Sequence, residues 1–191
     1  KSLVQEKKDH KEDKDANLVD VVDEGSAPLF LHKDPPNIKI NLEREVGKTL
    51  LRKMQDGNVE MCYTSDTLAK STRVGLYFGA QWCDPCRAFL PRLVDFYTRL
   101  RLDGRNVEIL FVSNDAHNND FKDYYVYNMP WLAIPFDEDM RRFKLAEKLG
   151  VSKVPSLVFL DGNGHVLTTE GLDMVFHDKD GGLLFRMRSK G

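Results

Sequence analysis

The sequence is poor in cysteine, in charge of one sign and in long apolar runs, and each shortage removes a class of protein. Three cysteines in 191 residues (Cys62, Cys83 and Cys86) are too few, and odd in number, for a secreted disulfide scaffold. A formal net charge of −2 provides no concentrated basic face for nucleic acid. No stretch approaches the roughly 20 apolar residues that span a bilayer, so no membrane segment is expected. The five histidines (His10, His32, His117, His165 and His177) are scattered, and no second paired motif completes the four ligands of a zinc site. The first residues are charged throughout and show no leader pattern, so a cytoplasmic, reducing compartment is the expectation.

What is present suits one globular domain with an appendage: 41% apolar and 30% charged residues over a chain long enough to bury a core. Residues 1–36 read as a charged tail and linker, partly disordered or exposed, because their mixed charge cannot bury enough apolar surface to offset ordering. Pro35-Pro36 marks its end. Across 37–57, Leu42, Val46, Leu50, Leu51 and Met54 recur at helical spacing. With Asn41 as cap and Asp56-Gly57 as stop, they predict an amphipathic helix over 41–55 packing on the domain.

From residue 58 to 191 short strands alternate with helices. Strands are predicted at 58–63 (an edge), 73–78, 107–113, 156–160 and 165–169, and helices at 85–102, 118–127 and 139–149. Asp161-Gly162-Asn163-Gly164 turns the last two strands into a hairpin. Alternation closed by a hairpin means an α/β fold with a central mixed β-sheet flanked by helices on both faces.

Two cysteines three apart at a helix start close a disulfide with little backbone movement. Cys83 stands just before the unsatisfied N–H groups of the first turn, where negative charge is favoured. That makes it the candidate nucleophile with a depressed pKa. Cys86, one turn in and more buried, is the candidate resolving thiol. Pro85 stiffens the first turn where its missing N–H costs nothing. Arg87 in place of histidine after Cys86 excludes haem attachment. Half a zinc site and incidental spacing are the competing explanations of the pair; the redox reading leads, with no metal assigned.

Trp82-Cys83-Asp84-Pro85-Cys86, followed by Pro91, and Val154-Pro155-Ser156 ahead of a strand resemble the thioredoxin superfamily. Tyr77-Phe78-Gly79-Ala80-Gln81-Trp82-Cys83, Phe111-Val112-Ser113-Asn114-Asp115, Phe121-Lys122-Asp123-Tyr124-Tyr125 and Met129-Pro130-Trp131-Leu132-Ala133-Ile134-Pro135-Phe136 resemble its tryparedoxin and nucleoredoxin branch. The resemblance covers roughly residues 58–185. It implies a thioredoxin-like fold and a thiol–disulfide oxidoreductase that reduces protein partners, a peroxidase among them. Electrons would come from a small dithiol or a reductase, with no bound cofactor. It also implies a cis-Pro155 facing the cysteines, with the Val154–Pro155 backbone pairing with the substrate. Trp82 is expected to shield the pair and touch substrate, and Trp131 to lie in the core or flank the site as a substrate contact. The alternative function is a redox-gated protein-binding adaptor of nucleoredoxin type, with the tail and the 41–55 helix holding the partner.

Three departures stand out. Asp84 occupies a position where the branch carries proline, and its carboxylate should raise the Cys83 pKa by charge repulsion. Tyr77 stands where thioredoxins bury an acid six residues before the first cysteine, so proton transfer must use water or another group. After Thr168-Thr169 the chain reads Glu170-Gly171-Leu172, without the arginine associated with trypanothione, and the branch's Phe-Pro-Trp ending is missing after His177-Asp178-Lys179-Asp180-Gly181. These departures count against trypanothione as donor. Cys62 reads as a structural thiol on a strand, and Arg87 as directed away along the helix.

Overall fold

The computed structural model describes residues 34–178 and 182–189, so the tail expected over 1–36 lies almost wholly outside the described residues. In chain order the elements are α1 (Leu42–Glu45), β1 (Thr49–Lys53), β2 (Val59–Tyr63), α2 (Thr64–Leu68), β3 (Arg73–Gly79), α3 (Asp84–Leu102) and β4 (Val107–Ser113). They continue with α4 (Asn118–Asn128), β5 (Leu132–Ala133), α5 (Asp139–Lys148), β6 (Ser156–Asp161), β7 (Val166–Thr168), α6 (Gly171–His177) and α7 (Gly182–Arg186). One mixed sheet carries all the strands in the order β2-β1-β5-β4-β3-β6-β7. β4 runs parallel to both β3 and β5, and the remaining pairings are antiparallel.

The central strands are buried on both faces, which is why they read as continuous apolar runs. Side chains alternate across them. Tyr77, Ile109, Phe111, Leu157 and Phe159 face a core completed by α3, α4, α6 and α7, whereas Leu76, Phe78, Leu110, Val112, Val158 and Leu160 face a second core completed by α2 and α5. α3 lies on the first face because Phe89, Leu93, Phe96, Tyr97 and Leu100, three or four residues apart, are all buried.

The helix expected over 41–55 does not form. Asn41 does cap α1, its side chain accepting the Arg44 N–H at 3.0 Å, but α1 is a single turn. Gly47 at φ 110° takes the chain out of helical space. Thr49–Lys53 then pairs antiparallel with β2, Leu50 opposite Cys62 and Leu51 opposite Met61. Asp56-Gly57 turns this hairpin instead of stopping a helix. In the pleat, the adjacent Leu50 and Leu51 point to opposite faces and each reaches a different core. Residues 37–57 are thus woven into the sheet, not laid on it. Even Ile38 and Ile40 join its other edge, exchanging backbone hydrogen bonds with Val166 (3.0 Å) and Gly164 (2.8 Å).

Candidate redox site

β3 delivers the cysteine pair. Its last residue, Gly79, leads through Ala80, Gln81 and Trp82 to Cys83, which caps α3 with extended backbone (φ −86°, ψ 105°). Cys83 and Cys86 form a disulfide, with their Cα atoms 5.2 Å apart. The Cys83 Sγ also accepts the Cys86 N–H at 3.1 Å, one of the helix donors that lacks an intrahelical partner. Both cysteines are buried, Cys83 at 4% exposure and Cys86 at none, so Cys83 is the less deeply buried of the two. The sulfurs bind each other, and among the described residues no three His, Cys, Asp or Glu side chains converge as a metal site.

The loop before Cys83 is held from β4. Asn114 N–H donates to the Gly79 carbonyl at 2.8 Å. Asp115 Oδ1 accepts the Gln81 N–H at 2.7 Å, and its Oδ2 accepts the Ser113 hydroxyl at 2.8 Å. The Ser113 oxygen in turn accepts the Asp115 N–H at 2.9 Å. Arg142 fastens the base of this turn, donating to the carbonyls of Ser113 (2.5 Å) and Phe136 (2.8 Å). Burial pushes the Asp115 carboxyl above the usual carboxylate range, against the opposing pull of the Gln81 and Ser113 donors. Sequence reasoning did not single out Asp115. Its signal is an acid two residues beyond a strand that ends beside β3, at the carboxyl ends of parallel strands where sites of α/β sheets form.

Other residues fall where the sheet places them. Trp82 is 56% exposed, its Nε1 donating to the Asn114 carbonyl at 3.4 Å. The Val154–Pro155 peptide is cis. Ser156 lies opposite Phe78 in the β3–β6 register, which sets this loop at the same end of the sheet as the cysteines. Val154 and Trp82 both line a groove of about 590 Å³. Tyr77 is fully buried, with its hydroxyl donating to the Cys86 carbonyl at 3.4 Å and lying 3.3 Å from the Tyr124 hydroxyl. Burial, with Tyr124 beside it, pushes the Tyr77 hydroxyl far above the ordinary tyrosine range, so it stays a neutral donor.

Two expectations change, those for Arg87 and Trp131, while Cys62 keeps its expected strand position. Arg87 does not point away along the helix: it folds back to pair with Asp84 and to donate to the Gln81 carbonyl. Asp84 therefore carries a counter-charge that opposes its repulsion of a Cys83 thiolate. Trp131 is no surface contact. At 2% exposure it packs edge-on against Tyr97 and Tyr77, ring centroids 5.5 and 6.4 Å away, because β5 turns it inward under α3. Cys62 sits half-buried on β2 at the far edge of the sheet, its thiol donating to the Leu50 carbonyl at 3.6 Å.

Residues 71–166 match a family model described as thioredoxin-like. Human nucleoredoxin is 40% identical over 111 residues, 58% of this chain and 25% of that protein, so the chain spans about a quarter of the length of the nucleoredoxins it matches. Tryparedoxin from Trypanosoma brucei brucei is 35% identical over 136 residues, 69% of this chain and 93% of that protein. A solved tryparedoxin II complexed with glutathionylspermidine superposes with a TM-score of 0.64 at 33% identity, covering 73% of this chain and 95% of that one.

Proposed function

This chain belongs to the thioredoxin-like family of redox proteins, alongside tryparedoxins and nucleoredoxins, and from that premise we propose that it reduces disulfides in protein partners. The observation that carries the reading is the Cys83–Cys86 disulfide at the cap of α3, with Cys86 the more deeply buried of the two. In the reduced form the Cys83 thiolate attacks a client disulfide. One client thiolate leaves, and a mixed disulfide joins Cys83 to the client. Cys86 loses its proton and attacks the Cys83 sulfur, releasing the second client thiolate. The client has gained two electrons and the pair is oxidised, the state of this structure. A donor dithiol then returns the electrons by the same exchange in reverse.

The clients are disulfide-forming proteins such as a thiol peroxidase, and the donor is a small dithiol or a reductase. A tryparedoxin II complexed with glutathionylspermidine supports a small thiol compound on the donor side. Trp82 and the Val154–Pro155 loop are the client contacts, and Asp84 and Pro85 set the local charge and stiffness of the motif. A cytoplasmic, reducing setting belongs to the same proposal and is supported by the unpaired Cys62 thiol.

The test is reduction of a model protein disulfide with dithiothreitol supplying electrons. Wild type should exceed dithiothreitol alone, Cys83→Ser should be inactive, and Cys86→Ser should accumulate mixed disulfides through Cys83. A wild type no faster than dithiothreitol overturns the reading. A partner still retained after both cysteines become serine would point to the adaptor function instead.

A further inference from the structure

The groove that Trp82 and Val154 line extends from the redox motif to α5. Its other wall is α5, where Asp139, Phe143 and Glu147 follow one another at intervals of four residues and so form one stripe. Phe143 is 65% exposed, a large apolar side chain without a core role. An exposed acid stands one turn to either side of it. Of the groove's two cations, Arg142 is buried, donates to the Ser113 and Phe136 carbonyls and lies in electrostatic reach of Asp139, whereas Lys153 belongs to the loop before Val154. The α5 wall therefore presents acid, ring, acid, in a groove of about 590 Å³ that reaches the redox motif at Trp82, the residue before Cys83.

We propose that this stripe selects the client: a polypeptide segment next to the client's reactive cysteine, bearing an apolar side chain flanked by basic residues. The proposal rests on the client-reducing function above and names the chemistry of its partner. Phe143, with Trp82 and Val154 opposite, receives the apolar side chain. Asp139 and Glu147 receive the flanking cations, in exposed pairings whose strength falls as salt rises.

Two peptides test the charge, each carrying one cysteine and a neighbouring Lys-Leu-Lys or Glu-Leu-Glu segment, and a third with Lys-Ser-Lys tests the ring. Binding is read by the fluorescence of the exposed Trp82, and turnover as kcat/KM on the same segments presented as disulfides. The wild type should bind the basic peptide about tenfold more tightly at low salt, with the ratio shrinking at 0.5 M salt. Asp139→Lys combined with Glu147→Lys should invert the ratio, and Phe143→Ser should abolish the advantage of leucine over serine at the central position. Because each result is a ratio within one variant, a general loss of activity cancels. Equal binding of both peptides by the wild type, or a ratio untouched by the charge reversal, overturns the proposal. Selective binding without turnover keeps the docking stripe and overturns the reductase function. Turnover without selectivity does the reverse.

Discussion

Asp115 accepts the backbone N–H of Gln81 at 2.7 Å, so a carboxylate at the end of β4 holds the loop that carries Trp82 and Cys83. The contact joins two segments 34 residues apart through the parallel pairing of Gly79 with Ser113.

Asp115→Ala should leave the Gln81 N–H and the Ser113 hydroxyl without their acceptor. We expect a loss of about 1–2 kcal/mol in urea unfolding and slower attack by Cys83 on a small disulfide. Asp115→Asn, which keeps one acceptor oxygen, should recover most of both. The pH dependence separates the charge from the hydrogen bond. Burial holds the folded-state carboxyl above its unfolded value, so ionisation weighs against the fold. Relative to Asp115→Asn, the wild type should be at its best below the ordinary carboxylate range and lose stability as pH rises through the elevated value. Parallel unfolding curves at every pH would contradict this.

Arg87 bridges Asp84 and the Gln81 carbonyl across the entrance to α3. Removing the guanidinium in Arg87→Ala leaves the Asp84 carboxylate unopposed beside the thiolate. The pH midpoint for alkylation of Cys83 by iodoacetamide should rise by a few tenths of a unit, as befits exposed charges. Adding Asp84→Ala to that variant should reverse the rise. A double variant that behaves like Arg87→Ala alone would show that Arg87 acts on the loop and not through Asp84.

Trp131 offers a check on its core position. Its Nε1 is buried with no hydrogen-bond partner among the described residues. Trp131→Phe removes that orphan donor while shrinking the ring, and two opposed effects of about 1–3 kcal/mol each should leave stability within about 1.5 kcal/mol of wild type. Disulfide reduction should keep its KM. A raised KM at unchanged stability would return Trp131 to the substrate face.

Gly164 tests the join between the first described segment and the terminal hairpin. It adopts φ 86°, and a Cβ there would lie 2.0 Å from the Ile40 carbonyl oxygen. Gly164→Ala should cost about 1–3 kcal/mol through backbone strain and displacement of residues 38–40. Hydrogen exchange should quicken at the Ile40 and Val166 amides before the centre of the sheet responds.

The redox motif was legible because its chemistry is local. Cysteines three residues apart, a proline in the first turn and an apolar stripe from Phe89 to Leu100 state a helix start and a thiol pair without distant help. The central strands were legible too, since a strand buried on both faces must be apolar at every position, as in Val107–Ser113. The 41–55 segment misled because its apolar positions fit a helix, while the strand pairing that overrode it depends on β2, a separate stretch of chain. Trp131 could not be placed from its neighbours, because only the packing of Tyr77 and Tyr97 around it decides which way β5 turns it.

The sequence by itself determined the fold family, the pairing of Cys83 with Cys86 and which of the two lies deeper, all consequences of residue types at short spacing. Tertiary structure alone decided that Asp115 supports the loop and that the α5 stripe faces the same groove as Trp82. Each of these sets groups from separate segments against one another, and the spacing of residues along a chain carries no information about which distant carboxylate will meet a given N–H. Strand register supplies it, because pairing Gly79 with Ser113 brings the two loops beyond them to one end of the sheet.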